Sequence, residues 1–187
     1  MPNANRPCFL GLKCSLAPAR VADRKRHVPF AVIPITAGTG SETTLVAVIA
    51  HPEQKVKMEF VSHHFLPDVA VLDPRMTRSL PPRLTAATGM DALVHAIEAC
   101  TCIQRNPLSD AYAWAAIKLI REYLPRAVAN GRDIEARLAM ANAALMAGAA
   151  FSNSMVGLVH AIGHACGSVA RVAHGTAMAI LLPHVME

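Results

Sequence analysis

Ala87-Thr-Gly-Met-Asp-Ala-Leu-Val-His-Ala-Ile-Glu98 divides the chain into two unlike parts. Small and apolar residues recur through it at helical spacing, with a break expected at Gly89 and a new helix from Met90 to Cys100. Asp91 and His95 lie four residues apart, so both side chains share one helix face, one turn apart. A carboxylate and an imidazole so placed can bind one divalent metal ion. A hydrogen-bonded pair on a solvated face has the same spacing.

Downstream of this stretch the pattern stays helical. Just before the stretch, Pro81 and Pro82 suit a helix start. Ser109 is a good N-cap for a long helix reaching Ala129, with Asn130-Gly131 as its stop and Pro125 able to kink the last turn. Further helices are expected over 135–151 and 156–166, and Thr176 to Leu182 opens one more element. Upstream the signal is short, β-branched and apolar. Strands are expected at 30–34, 46–50, 55–60 and 69–72. Between the first two lies a loop of small residues, Thr36-Ala-Gly-Thr-Gly-Ser-Glu42. The chain is thus β-rich over 29–75 and all-helical over 76–187.

Gly157-Leu-Val-His-Ala-Ile-Gly-His164 carries a second pair of polar residues at helical spacing. The rest of that helix is Ala, Gly, Ile, Leu and Val, so it is expected to be largely buried. Two imidazoles there need partners, either a metal or substrate or other core groups. His174-Gly175 follows a polar break and precedes an apolar helix; the histidine is read as lying in a loop. Four histidines and one Asp exceed the four ligands of a tetrahedral site, and spacing leaves open which one is spare. Histidine and carboxylate ligands suit zinc or ferrous iron.

The Thr36–Glu42 loop offers backbone N–H and hydroxyl donors to phosphate or ribose oxygens. It is neither a Walker loop nor a GxGxxG fingerprint, and an ordinary turn has the same composition.

The net charge of +5 resides in the first segment. Arg6, Lys13, Arg20, Arg24, Lys25 and Arg26 stand there against Asp23 alone, and the remainder balances. No basic stripe with interleaved aromatics occurs, so a nucleic-acid partner is not expected. The five cysteines are odd in number and form no CxxC pair, which points to reduced thiols in a cytoplasmic protein. The longest apolar run, Leu138 to Phe151, is too short to span a bilayer, so no membrane partner is expected.

These motifs, in this order, resemble the iron-containing (group III) alcohol dehydrogenases: Pro34–Glu42, Ala87–Glu98, Gly157–His164, His174-Gly and Leu181-Leu-Pro-His-Val-Met186. The resemblance covers about residues 29–187. It implies a partial dehydroquinate synthase-like fold, with an α/β remnant of a dinucleotide-binding domain followed by an all-α metal-binding domain. It implies Asp91, His95, His160 and His174 as metal ligands for Fe2+ or Zn2+. His164 is then the catalytic residue beside nicotinamide and substrate. Thr36, Thr39 and Lys57 match positions that contact the dinucleotide, NAD or NADP, and Gly38 and Ser41 are candidates from the same loop. The implied reaction is hydride transfer between a small alcohol or aldehyde and that cofactor.

Members of the family begin with a dinucleotide-binding half holding a Gly-Gly-Gly-Ser pyrophosphate loop, which this sequence lacks. They continue with further helices past the position of Glu187. The resemblance therefore implies a chain truncated at both ends; residues 1–28 do not resemble the dinucleotide-binding half and are read as an unrelated leader or as sequence out of its native context. Apolar helix faces over 109–166 would then be open to association, so a homo-oligomer is expected. The alternative reading is a non-catalytic metal-binding fragment with an incomplete cofactor site.

Overall fold

Alanine decides how the helices approach one another. In a computed structural model, which describes residues 28–187, the longest helices are α1 (Pro82–Thr101), α2 (Pro107–Ala129) and α3 (Ile134–Ser154). They pack around buried Ala92, Ala96, Ala99, Ala113, Ala116, Ala143, Ala144 and Ala147, with Ile120, Met140 and Phe151 filling the wider gaps. Small side chains let backbones come close, and dense packing follows.

Gly89 does not break α1, contrary to the sequence expectation; the helix is continuous through it. A glycine inside a helix costs about 1 kcal/mol relative to alanine. Here the bare Cα admits α2, because a Cβ at Gly89 would lie 2.3 Å from Leu124 Cδ1. Tertiary contact overrides local preference.

The start of α2 is also displaced. Its N-cap is Asn106, not Ser109. Asn106 Oδ1 accepts from the Leu108 and Ser109 N–H groups, and Ser109 Oγ accepts from the Asn106 N–H. Ser109 is thus the third residue of a reciprocal capping box. Pro125 stays inside the helix, and Asn130 ends it as expected.

The last two helices, α4 (Leu158–Ala170) and α5 (His174–Met186), form a second apolar cluster against the other side of α1. Val94, Val159, Ala177, Met178 and Leu182 make it up. Helices α3 and α4 meet at an angle of 104°. Met155 makes that turn at φ 68, a left-handed conformation unusual for a side chain of its size. His174 is the first residue of α5 and not part of a loop, which corrects the reading from sequence.

The N-terminal part is small and α/β in character. Strands β1 (Ala31–Val32) and β4 (Val69–Ala70) pair in parallel. Strands β2 (Val46–His51) and β3 (Val56–Val61) form an antiparallel hairpin, with Val46 opposite Val61 and His51 opposite Val56. The first and last strands are shorter than the sequence pattern predicts. Strand β3 lies against α4, which ties this part to the helices. The leader expected at 1–28 falls outside the described residues except for Val28. Among the described residues no single helix is long and apolar enough to cross a membrane.

Candidate metal centre

Helix α1 presents three ionisable side chains on one buried face. Asp91, His95 and Glu98 follow each other at helical spacing and are 3%, 6% and 3% exposed. Such groups remain buried only where something satisfies them.

Helix α4 brings His160, which is 3% exposed, and α5 brings His174 at its first position. Asp91 Oδ1 lies 3.6 Å from His160 Nε2 and 3.2 Å from His174 Nε2. One atom from each of the three residues falls within 4.8 Å of the others. Gly175 sets that approach. A Cβ there would come within 2.2 Å of the Ala87 carbonyl oxygen, so only glycine lets α5 press onto α1 beside Asp91.

Asp91 Oδ1 and His160 Nε2 are buried and have no hydrogen-bond partner. His95 Nδ1 and His174 Nδ1 are in the same condition. An orphaned buried polar atom costs about 1–3 kcal/mol, more when charged. A divalent cation would remove that cost. Donors bound at about 2.1 Å to one tetrahedral ion stand about 3.4 Å apart, and the observed separations bracket that distance. The donor set and its spacing therefore fit a metal ion.

The structure brings Asp91, His160 and His174 together and holds His95 immediately beside them. The His95 ring stacks between Phe151 and His160, with both centroids at 4.4 Å. His164 stands at the rim, 5.2 Å from the His174 ring and 5.8 Å from the His160 ring. Its Nδ1 meets Glu59 Oε1 of β3 at 2.6 Å.

The electrostatics follow from burial and from the paired charges. Burial pushes the Asp91 carboxyl up, but the imidazoles of His95, His160 and His174 overcome it and hold the group well below the usual carboxylate range. Burial takes His95 down to about 4, against the opposing pull of Asp91. Burial also disfavours a charged His160, yet the carboxylates of Asp91 and Glu98 on either side raise it to about 9. The pull of His164 lowers Glu59 against the effect of its partial burial.

Two carboxylates that hydrogen-bond the site histidines carry no role in the sequence pattern. Glu98 receives the Val159 N–H on Oε1 at 2.6 Å and His160 Nδ1 on Oε2 at 2.5 Å. Its spacing from Asp91 and His95 on one apolar helix was the available signal. Glu59 has no such signal, because its partner His164 is remote in sequence and reaches it only through packing.

Four of the five cofactor candidates lie on the loop between β1 and β2, and Lys57 lies on β3. Gly38 and Gly40 are buried against helices: a Cβ at Gly38 would meet Thr88 O at 2.6 Å, and one at Gly40 would meet Gly148 Cα at 2.6 Å. Gly40 has φ +61. Both glycines therefore have a packing reason. Thr39 and Ser41 are exposed, with their hydroxyls 3.2 Å apart. Thr36 is half-buried. Lys57 lies on the same strand face as Glu59, its Nζ over Gly167 of α4. The loop contacts α1 at Thr88, one turn before Asp91.

A model of the Fe-containing alcohol dehydrogenase family, C-terminal part, matches residues 85–187, more than half of the chain. The chain belongs to the iron-containing alcohol dehydrogenase family. A second model, iron-containing alcohol dehydrogenase, matches residues 10–74, so the likeness begins inside the segment read from sequence as a leader. The NAD-dependent methanol dehydrogenase of Bacillus methanolicus is 53% identical over 161 residues, covering 86% of this chain and 42% of the relative. The 1,3-propanediol dehydrogenase of Klebsiella pneumoniae is 48% identical over 157 residues, 84% of this chain and 41% of its own. A solved sulfoacetaldehyde reductase from Bifidobacterium kashiwanohense, in complex with NAD+, superposes with a TM-score of 0.81 at 39% identity, covering 86% of this chain and 43% of that one. The chain thus spans about 40% of the length of relatives such as the Geobacillus thermodenitrificans long-chain-alcohol dehydrogenase 1, at 40%.

Proposed function

We propose that this chain supplies the metal-binding half of an alcohol dehydrogenase active site, with hydride exchanged between a small alcohol or aldehyde and NAD or NADP. The observation that carries this reading is the set of unpartnered buried donors on Asp91 and His160, with His174 beside them. Asp91, His95, His160 and His174 would hold the ion, Fe2+ or Zn2+. When bound, such an ion supplies Lewis acidity toward the alcohol or carbonyl oxygen.

The protein groups do the rest. Phe151 and the His95–His160 stack would wall the inner side of the site. His164 faces the open side. With Nδ1 held by Glu59, its Nε2 is the atom that would pass the alcohol proton outward. Thr36, Gly38, Thr39, Ser41 and Lys57 would border the dinucleotide. In this reading residues 29–75 are the end of a dinucleotide-binding domain and 76–187 a helical metal domain. The protein would be cytoplasmic and would associate with copies of itself.

The test is metal analysis of protein purified without oxygen, for the natural sequence and for Asp91→Ala and His160→Ala. Stoichiometric metal that is lost in both variants is expected; unchanged metal content in both refutes the site. Saturable NADH or NADPH binding by the same sample supports the enzyme reading. Metal without dinucleotide binding would support the alternative, a metal-binding fragment.

A further inference from the structure

Glu98 occupies a position that neither ligation nor hydride transfer requires. Its carboxylate lies at the N-terminus of α4, where the first N–H groups of a helix lack internal partners. Gly157, the residue before α4, offers no side-chain cap. Glu98 of α1 takes that role across the helix interface: Oε1 receives the Val159 N–H at 2.6 Å and faces the His160 N–H at 3.4 Å. Gly157 leaves room for it, since a Cβ there would stand 3.1 Å from Oε1. The second oxygen, Oε2, meets His160 Nδ1.

Three donors therefore converge on two oxygens. An ionised carboxylate accepts at both; a glutamine accepts at one and donates at the other. A neutral imidazole protonated at Nδ1 has a bare Nε2, and Nε2 of His160 is the buried, unpartnered atom that faces Asp91.

We propose that Glu98 is a positioning residue that locks His160 in the Nδ1–H form and aims its Nε2 at the metal, and that both of its oxygens are needed. This rests on the metal reading above. Outer partners of this kind are commonly worth tenfold to hundredfold in metal affinity. The same carboxylate joins α1 to α4, so ring orientation and helix docking are set by one group.

Glu98→Gln tests it. Its amide must point hydrogens either at the Val159 N–H or at His160 Nδ1. With Co2+ as the probe, titrated well below the melting temperature of both proteins, the variant is expected to bind about tenfold to hundredfold more weakly. Nitrogen NMR of isotope-labelled histidines, recorded on both proteins saturated with Zn2+, should show the single Nδ1–H form of His160 in the natural protein replaced by a mixture in the variant. A purely structural cap would lower the melting temperature yet leave Co2+ affinity and the histidine spectrum unchanged, and that result overturns the proposal. Should the variant not fold, the natural protein still decides. Zn2+ that shifts His160 Nε2 while Nδ1 keeps its proton supports the proposal, and Zn2+ that displaces the Nδ1 proton overturns it. Failure of the natural protein to bind Co2+ would remove the metal reading itself; equal binding by both proteins removes only the role of Glu98.

Discussion

Metal affinity should depend steeply on pH through one residue. In the metal-free chain His160 lies between the Asp91 and Glu98 carboxylates, which raise it to about 9. An ion at Nε2 must displace the proton there, so binding and deprotonation are linked. Below that value each pH unit should weaken the apparent affinity about tenfold, or about 1.4 kcal/mol. Between about pH 8 and about pH 6 the loss from this residue alone is then about a hundredfold. His95 adds no slope in that window, because burial holds it down to about 4 and it is already neutral. The assay is calorimetric titration with Zn2+ in buffers of different ionisation enthalpy, which counts protons released per ion. About one proton from His160 is expected near neutral pH. A flat affinity across the window, with no proton released, would refute the argument.

Two further outcomes follow from other parts of the structure. Gly175→Ala would drive a Cβ to 2.2 Å from the Ala87 carbonyl oxygen and push His174 away from Asp91; a loss of about 1–3 kcal/mol in denaturant unfolding, with weaker metal binding, is expected, and unchanged affinity would show that α5 is not positioned by this contact. His95 makes the metal-free fold acid-sensitive. Its folded value lies below the ordinary 6.5, at about 4, so its contribution to stability is complete above 6.5 and is lost as pH falls through 4. The amount is about 3 kcal/mol, and a His95→Gln variant with the same acid dependence would exclude His95 as its source.

Much of this site was legible because its chemistry is local. Asp91 and His95 are one turn apart, and so are His160 and His164; helical spacing alone pairs them. The β-rich to helical change near residue 76 was equally plain in composition. What escaped was set at a distance. Gly89 looks like a break until Leu124 of another helix is seen to fill the space above it. Ser109 looks like a cap because its hydroxyl does bond backbone at the helix start, but it does so from inside, returning the bond that Asn106 gives. His174 follows a polar break and yet begins α5. Glu98 closes the Ala87–Glu98 motif, but its partners His160 and Val159 arrive on another helix. Glu59 could be found only by folding β3 onto α4.

From Thr85 to Cys100 no residue of α1 is exposed. One side serves the alanine cluster and the other the cluster around Met178, with the site between them. Protection of backbone amides from solvent exchange should therefore be greatest along α1, whose opening requires the surrounding helices to part. Asp91, His95 and Glu98 then belong to the slowest-opening unit of the molecule. Their counterparts on α4, α5 and β3 ride on shorter, more open elements that can move off without unfolding it. Exchange of an ion or a ligand at this centre would proceed by loosening of the His160, His164 and His174 side, against a wall that stays shut.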